Sequence, residues 1–426
     1  MNSTRNNITI LLVGTAVLLL GQGLLITLLP VRAALEGFST TWIGYMGGAY
    51  FGGFTIGCIV GPGVIRKVGH IRAFAGFAAL AAVGTLAYQL LPTPVMWLTI
   101  RGLTGICFAV LFMVIESWLN EQSSNKNRGT VLSLYIIVAN VTTIGGQMML
   151  NLTDPALGTL FIFGAMMICL SLVPVSLTSI REPSPPPFAR IDVMGLYRLS
   201  PVGFIGCLIY GIVDGSFWTL GPVFAQDRGF SVAGITFFMS AFMLGGTISQ
   251  WPIGWVSDRI DRRIMIAACC MGTIGTGLFL AFLSTHEGVF PFLIACLHGG
   301  FMLPLYALIL AHANDFAPQE KLVETSSGLL LVFSAGAISG PVVIGPLMES
   351  QEAGYLFIAM SVVFAVLATF VLYRIICRPI SEATDRATFV PVPRSSQAIY
   401  ELETDDVEGA ESDSTERRTA DRRSGH

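Results

Sequence analysis

Several ionisable side chains lie within long apolar stretches of the sequence, where they could carry chemistry, and the main candidates are Arg101, Glu116, Asp214 and His298. A charge inside a membrane is costly, so an ionisable residue there is a functional hypothesis by default. Asp214 is near the middle of its stretch, four residues before Trp218. A carboxyl group at that depth could take up a proton on one side of a membrane and release it on the other. The alternative is a carboxylate that is permanently paired and only structural.

Arg101 and Glu116 share one apolar stretch but differ in depth. A guanidinium stays charged at any accessible pH, so Arg101 needs an acid, carbonyl groups or an anionic substrate, and Asp214 is the most plausible acid. Helix packing is the alternative role for Arg101. Glu116 is about 15 residues further on, roughly 22 Å along a helix. That position favours an ion-pair network near the helix end, with Arg128 or Arg66, over a role in proton or substrate movement.

A histidine and several uncharged side chains could also contact a solute. His298 is predicted at a depth similar to that of Arg101, although a lone histidine on a helix is usually a core residue. Gln22 and Tyr50 could donate hydrogen bonds to a solute, and hydrogen bonding between helices is the alternative. Phe217 and Trp218 place aromatic surface beside an acid, which suits an amphipathic or cationic solute.

The composition defines the class of protein that holds these residues. The chain has 426 residues, of which 53% are hydrophobic and 12% charged, and its mean hydropathy is +0.70. A soluble domain carries about 25% charged residues. The excess of apolar residues therefore excludes a soluble enzyme, a nucleic-acid binder and a disordered protein, and it indicates an integral membrane protein.

Twelve apolar stretches are long enough to cross a membrane as helices, at about 20 residues for each span. They cover residues 8–29, 41–65, 71–91, 95–120, 129–152, 156–178, 201–225, 231–256, 264–285, 289–314, 321–348 and 353–377. The sequence therefore predicts an all-α membrane protein.

A proline-rich segment divides the stretches into six and six. Proline cannot continue a helix and favours an extended spacer. We therefore predict four parts: a six-helix bundle, a cytoplasmic linker, a second six-helix bundle, and an acidic tail too polar to fold. These parts are residues 1–178, 179–200, 201–378 and 379–426.

Orientation follows from the excess of Lys and Arg in cytoplasmic loops. Fifteen basic residues of the first 378 fall on the side of the chain termini, whereas only Arg32 and Arg228 fall on the other side. This bias predicts that both termini are cytoplasmic.

One loop pattern occurs twice, after the second span of each half, with an offset of 192 residues. Such acid–base clusters can form hydrogen bonds that one conformation makes and another lacks. The second copy consists of Gly254, Asp258, Arg259, Arg262 and Arg263, and the first of Arg66, Lys67 and Gly69.

The second copy resembles the signature loop of the major facilitator superfamily, except that Asp261 replaces its usual second glycine. In the first copy Arg66 stands where the acid is expected. The stretch from Arg101 to Gly105 resembles the fourth-span motif of this superfamily. The eleventh span resembles its glycine–proline packing motif, at Gly336, Gly340, Pro341 and Gly345.

A narrower resemblance is to the YcaD-like bacterial branch, carried by Ser249–Gly254, Ile115–Ser117, Asn127–Gly129 and Leu303–Tyr306. The resemblance implies two pseudo-symmetric bundles around a central cavity lined by the first and fourth spans of each half. It also implies a multi-pass protein of the bacterial inner membrane, and it associates Arg101 with proton transfer.

The sequence thus predicts a secondary transporter that moves a small solute by alternating access, coupled to protons, with efflux favoured over uptake. A transport-inactive receptor or scaffold with the same fold is the alternative. The sequence contains no GxxxxGK[ST], HExxH or GxSxG motif, so we expect no P-loop ATPase, no enzyme, no cofactor and no metal. We expect a monomer in the lipid bilayer that binds no nucleic acid.

Overall fold

The computed structural model describes residues 2–123, 128–176, 193–283, 288–318 and 321–377, which form helices and no strand. The helices are α1 (Asn2–Leu35), α2 (Thr40–Val68), α3 (His70–Leu90), α4 (Pro94–Glu121), α5 (Arg128–Met148), α6 (Thr159–Leu170), α7 (Leu172–Ser176), α8 (Val193–Leu199), α9 (Pro201–Asp227), α10 (Val232–Ser257), α11 (Arg262–Ala281), α12 (Phe290–Met302), α13 (Pro304–Asn314), α14 (Leu322–Ser350) and α15 (Tyr355–Cys377). A single 3-10 turn, Met149–Leu152, continues α5.

Twelve segments of the described chain are long and apolar enough to cross a membrane, which confirms the predicted number of spans. The sixth span consists of α6 and α7, and the tenth of α12 and α13, which meet at Pro304. The first span ends at Leu35 rather than at residue 29. It continues past Arg32 because this side chain pairs with Glu36 and donates to the Pro155 carbonyl (2.9 Å).

The predicted linker differs from an extended spacer at its end. Residues 193–199 form the short helix α8, in which Leu196 is buried and Tyr197 packs edge-on against Phe204 at 5.6 Å. These apolar contacts explain the helix. Most of the remaining linker, at 179–192, and the predicted tail lie outside the described residues, so the domain boundaries stay a prediction.

Glycines set the closest contacts between helices. A Cβ atom at Gly53 of α2 would overlap the Gly102 carbonyl of α4, and one at Gly105 would overlap the Tyr50 carbonyl. In the second half, a Cβ at Gly245 of α10 would overlap the Cys296 carbonyl of α12. Only glycine allows backbones to come this close.

The predicted packing motif of the eleventh span has two faces. Gly336 and Gly340 of α14 lie against the backbone carbonyls of Leu208 and Ile212 in α9. Pro341 and Gly345 instead lie against Gly44 of α2, across the boundary between the two halves.

The two sets of six spans meet through α2 with α14 and through α5 with α10. We call the end of the bundle where α1 begins and α15 ends the terminal face. The contacts just described lie toward the opposite face, where the Thr41 N–H also donates to Glu349 Oε2 (2.9 Å). Two hydrogen bonds, Ser240 Oγ to Gln147 Oε1 (3.2 Å) and Asn151 Nδ2 to Thr236 Oγ1 (2.9 Å), join α10 and α5 there.

Replacement of Gly53 by alanine tests the close contact between α2 and α4. The new methyl group would collide with the Gly102 carbonyl, and overpacking of this kind costs about 1–3 kcal/mol. We therefore expect Gly53→Ala to lower the melting temperature of the purified protein. Gly52→Ala is the matched control, because space is open at Gly52 and the lost backbone entropy of glycine favours alanine by about 0.4–1 kcal/mol. Equal effects of the two changes would contradict the packing argument.

Candidate functional site

A cavity of about 260 Å³ lies between the two sets of spans. It is smaller than the roughly 300–1,000 Å³ of pockets that hold drug-sized ligands. Five of the predicted pathway residues line it together: Gln22, Tyr50, Arg101, Asp214 and Trp218. The spans that supply them are the first, second, fourth and seventh.

Asp214 is 2% exposed and is held by the aromatic residues one helical turn to either side. The Tyr210 hydroxyl and the Trp218 indole N–H both donate to Oδ1, at 3.3 and 3.2 Å. Residues four apart share a helix face, so the spacing of Tyr210, Asp214 and Trp218 could have predicted this cluster. The sequence analysis did not include Tyr210.

Arg101 is half-buried on the opposite wall. Its guanidinium lies 4.4 Å from the centre of the Tyr50 ring, and Gln22 Nε2 donates to the Tyr50 hydroxyl (3.1 Å). Arg101 and Asp214 lie on α4 and α9, which belong to different sets of spans, and both line the cavity between these sets. The pairing of the two stays a prediction.

Polar and aromatic groups complete the cavity wall. Among the described lining residues, Arg101 and Asp214 are the charged ones. Several side chains that the sequence analysis missed also contribute: Tyr135, Asn140, Thr143, Thr247, Gln250, Tyr306, Phe333 and Ser334.

His298 does not line this cavity, in contrast to its predicted place in the pathway. It is 1% exposed, with Nδ1 at 2.9 Å from Thr276 Oγ1, and its ring lies among Phe217, Phe242 and Phe357. Phe217 and Phe242 stack at 3.8 Å. Phe217 is thus part of this core packing, and of the predicted aromatic pair only Trp218 reaches the cavity.

Glu116 is buried near the terminal face and accepts a hydrogen bond from Tyr135 (3.1 Å), which itself lines the cavity. The predicted partner Arg128 begins α5, but its side chain lies outside the described residues. Glu116 is therefore connected to the cavity wall through the α5 hydroxyl.

The loop after α10 forms a buried charge cluster. Arg262 is 1% exposed, with Nη2 at 3.4 Å from Asp258 and Nε at 3.2 Å from Asp315. Arg259 instead stacks on the Trp255 ring at 3.7 Å and donates to the Trp255 carbonyl (2.7 Å). Arg262 rather than the adjacent Arg259 thus pairs with Asp258, across the turn that joins α10 to α11. Gly254 is buried in the last turn of α10.

Asp261, which departs from the superfamily pattern, has two structural roles. Its carboxylate caps α11 by accepting from the Arg263 N–H (2.9 Å), and it pairs with Arg263 Nη2 at 2.7 Å. Burial acts to raise the pKa of Asp261, but the hydrogen bonds and positive charge of Arg263 outweigh it and hold this pKa below its ordinary value. Arg263 also donates to the Arg374 carbonyl (3.3 Å) and so joins α11 to α15.

The first copy of the loop is a helix break. Arg66 and Lys67 occupy the last turn of α2. Gly69 has φ of +85°, and its N–H donates to the Ile65 carbonyl (2.8 Å). Few other residues adopt this backbone conformation without strain, so glycine is required where α2 ends and α3 begins.

Twelve apolar spans around a central cavity that holds one acidic and one basic residue are typical of membrane transport proteins. Residues 203–396 match the model of the Major Facilitator Superfamily. An uncharacterised MFS-type transporter of Enterobacter sp. strain 638 is 29% identical over 367 residues, covering 85% of this chain and 94% of the relative. YcaD of Escherichia fergusonii, also an uncharacterised MFS-type transporter, is 27% identical over 360 residues, covering 83% and 92%.

Comparison with solved structures supports the same fold. The crystal structure of the nucleoside transporter NupG matches with a TM-score of 0.74 and 14% identity, covering 86% of this chain and 98% of NupG. This chain is thus similar to transporters of the major facilitator superfamily over most of its length, the resemblance that its loop and packing motifs predict.

Two replacements of Asp261 can separate the contribution of its helix cap to stability from the contribution of its charge. Because folding lowers its pKa, its ionised form stabilises the protein fully above the ordinary value of about 3.9, and this contribution is lost as the pH falls through the lower folded value. We expect Asp261→Asn, which keeps a cap, to lower the melting temperature at pH 7, and the difference from wild type to close only below about pH 4. Asp261→Ala also removes the cap and should cost a further 0.5–2 kcal/mol, roughly. A difference that closes between pH 7 and 5 would contradict this assignment.

Proposed function

We propose that this protein is a secondary active transporter that moves a small solute by alternating access and couples this movement to protons. The observation that carries the proposal is the buried Asp214, which lines a cavity formed jointly by both sets of spans. A titratable group at such a boundary can be exposed to either side as the two sets rock. Solute sites of secondary transporters lie in this position.

The contacts between the two sets support a rocking motion. Gly44 meets Pro341 and Gly345 by backbone contact, so at this position α2 and α14 can separate without unpacking large side chains. The cavity extends toward the terminal face, where Phe112, Tyr135 and Gln250 contribute to its wall. These features favour a conformation that is closed at the opposite face. We propose that the terminal face is cytoplasmic, in a bacterial inner membrane.

Proton exchange follows from the chemistry of one carboxyl group. Asp214 cannot bind a proton and a cationic group of the solute at the same Oδ atoms, so solute binding would displace the proton. This competition favours antiport and hence export. The other phenol and guanidinium groups that line the cavity belong to Tyr50, Arg101, Tyr135 and Tyr306, of which Tyr306 lies beside Tyr210. A phenol or a guanidinium remains protonated at neutral pH. Asp214 is thus the group whose charge would change.

A transport-inactive receptor would not need ionisable groups at this depth. The presence of both Asp214 and Arg101 in the cavity favours transport.

The loop cluster of Asp258, Arg262 and Asp315 is proposed as a latch of the terminal face, because rocking would change the surroundings of these charges.

Reconstitution into liposomes tests the role of Asp214. An imposed pH gradient should drive solute movement, and added solute should drive proton movement that a pH-sensitive dye records inside the vesicles. Asp214→Asn removes the titratable group and should abolish the solute-driven proton signal while solute exchange continues. Asp154→Asn is the matched control, because Asp154 lies in the loop after α5, away from the cavity. An unchanged proton signal in Asp214→Asn would overturn proton coupling through this residue.

Replacement of Gly44 tests alternating access. A leucine there would collide with Pro341 and hold α2 away from α14, so the opposite face could not close. We expect Gly44→Leu to abolish transport while solute binding persists. Gly63→Leu in the same helix is the control, because space is open at Gly63. Normal transport by Gly44→Leu would show that closure of this face is not required.

A further inference from the structure

A small side pocket adjoins the central cavity within the first set of spans. Its volume is about 10 Å³, and Gln22, Tyr50 and Arg101 line both the side pocket and the cavity. Tyr88 and Thr104 line only the side pocket and are 0% and 3% exposed. The other described lining residues are apolar, namely Leu25, Ile26, Leu29 and Phe108. The side pocket is therefore a polar recess in an otherwise apolar wall.

The side pocket is positively charged. Arg101 is the charged residue of its described lining, which includes no acidic side chain. The Arg101 guanidinium lies 4.4 Å from the centre of the Tyr50 ring and beside the Tyr88 hydroxyl. Opposite charges attract more strongly in apolar surroundings than in water. An anion in the side pocket would therefore be held by the guanidinium.

The tyrosine hydroxyl groups of the side pocket have hydrogens to donate. Tyr50 accepts a hydrogen bond from Gln22 Nε2 (3.1 Å), and no described group accepts the Tyr50 hydrogen in return. Thr104 donates to the Arg101 carbonyl (3.0 Å), so its oxygen is left to accept from Tyr88. That contact is 3.5 Å, longer than the roughly 2.5–3.0 Å of an ordinary hydroxyl hydrogen bond. Two O–H groups thus lie near the guanidinium without a well-placed acceptor.

The size of the side pocket limits the anion that it can hold. A cavity needs about 10–15 Å³ to hold one particle of the size of water. A single atom therefore fits, whereas a carboxylate, a phosphate or a sulfate does not. A monoatomic anion accepts hydrogen bonds from any direction and donates none, which suits a site made of N–H and O–H donors.

We propose that the side pocket binds a chloride ion, held by the Arg101 guanidinium and by the hydroxyl groups of Tyr50 and Tyr88. The bound ion would compensate the Arg101 charge from within the first set of spans. This site goes beyond the proposed transport function and does not depend on proton exchange by Asp214. It makes the stability of the folded protein dependent on chloride.

Thermal stability of the purified protein in different sodium salts tests the site. The anions are chloride, bromide, formate, acetate and gluconate, compared at one pH and at equal ionic strength. A ligand that binds the folded state raises its melting temperature, whereas screening of surface charges is the same for all five salts. We expect chloride and bromide to raise the melting temperature above its value in gluconate, and formate and acetate to leave it at that value.

Two variants connect this effect to the side pocket. Arg101→Gln removes the charge and should abolish the difference between chloride and gluconate. Tyr50→Phe keeps the ring beside Arg101 and removes one O–H donor, and it provides a second variant if Arg101→Gln fails to fold. We expect it to weaken chloride binding about tenfold or more, the effect of one hydrogen bond to a charged group. Tyr45→Phe and Arg72→Gln, at exposed positions of α2 and α3, are controls that should keep the wild-type effect.

Bromide scatters X-rays anomalously, so crystals grown in bromide should show a peak in the side pocket. Absence of that peak, or equal stability in chloride and gluconate, would overturn the proposal. A chloride effect that both variants leave unchanged would also overturn it. Equal stabilisation by formate or acetate would do the same, because these anions do not fit the side pocket.

The proposed function is judged separately, by the solute-driven proton signal in liposomes. Absence of that signal together with an intact chloride effect would reject proton coupling and keep the chloride site. An intact proton signal without a chloride effect would reject the chloride site alone.

Discussion

A charge can persist inside an apolar bundle only if the surrounding groups compensate for the water that it has lost. This constraint governs the centre of the molecule. Asp214 is compensated by donors one turn before and after it in α9, and Arg101 by the ring of Tyr50 on α2. Each charge is therefore stabilised by side chains of its own set of spans.

The two halves meet through equivalent pairs of helices that use different physical interactions. In α2 and α14 the closest contact is between backbones, at Gly44 and Gly345, beside the hydrogen bond from Thr41 to Glu349. At the equivalent positions of α10 and α5 the contact is a hydrogen bond between Thr236 and Asn151. The two pairs of helices thus occupy equivalent places but differ in their side chains. Glycine allows backbone contact in one pair, and polar side chains form a hydrogen bond in the other.

The sequence predicted the twelve spans because apolar length alone identifies a membrane helix, and it predicted Gln22, Tyr50 and Asp214 as candidate pathway residues. It could not predict which side chains of the two sets of spans share one cavity wall, because no local pattern reports the width of a cavity between bundles. His298 was misplaced for a related reason. Depth along a helix can be read from residue spacing, but the side that faces the cavity depends on how Phe217 and Phe242 pack.

The hydrogen bonds between α10 and the α5 segment contribute a small free energy to the contact between the two halves. Side-chain hydrogen bonds between membrane helices contribute about 0.6 kcal/mol each on average, so the bonds from Ser240 and Asn151 together amount to about 1.2 kcal/mol. A free energy of about 1.4 kcal/mol corresponds to a tenfold change in an equilibrium constant. These two bonds together therefore favour a conformation in which α5 and α10 stay in contact by a little less than tenfold.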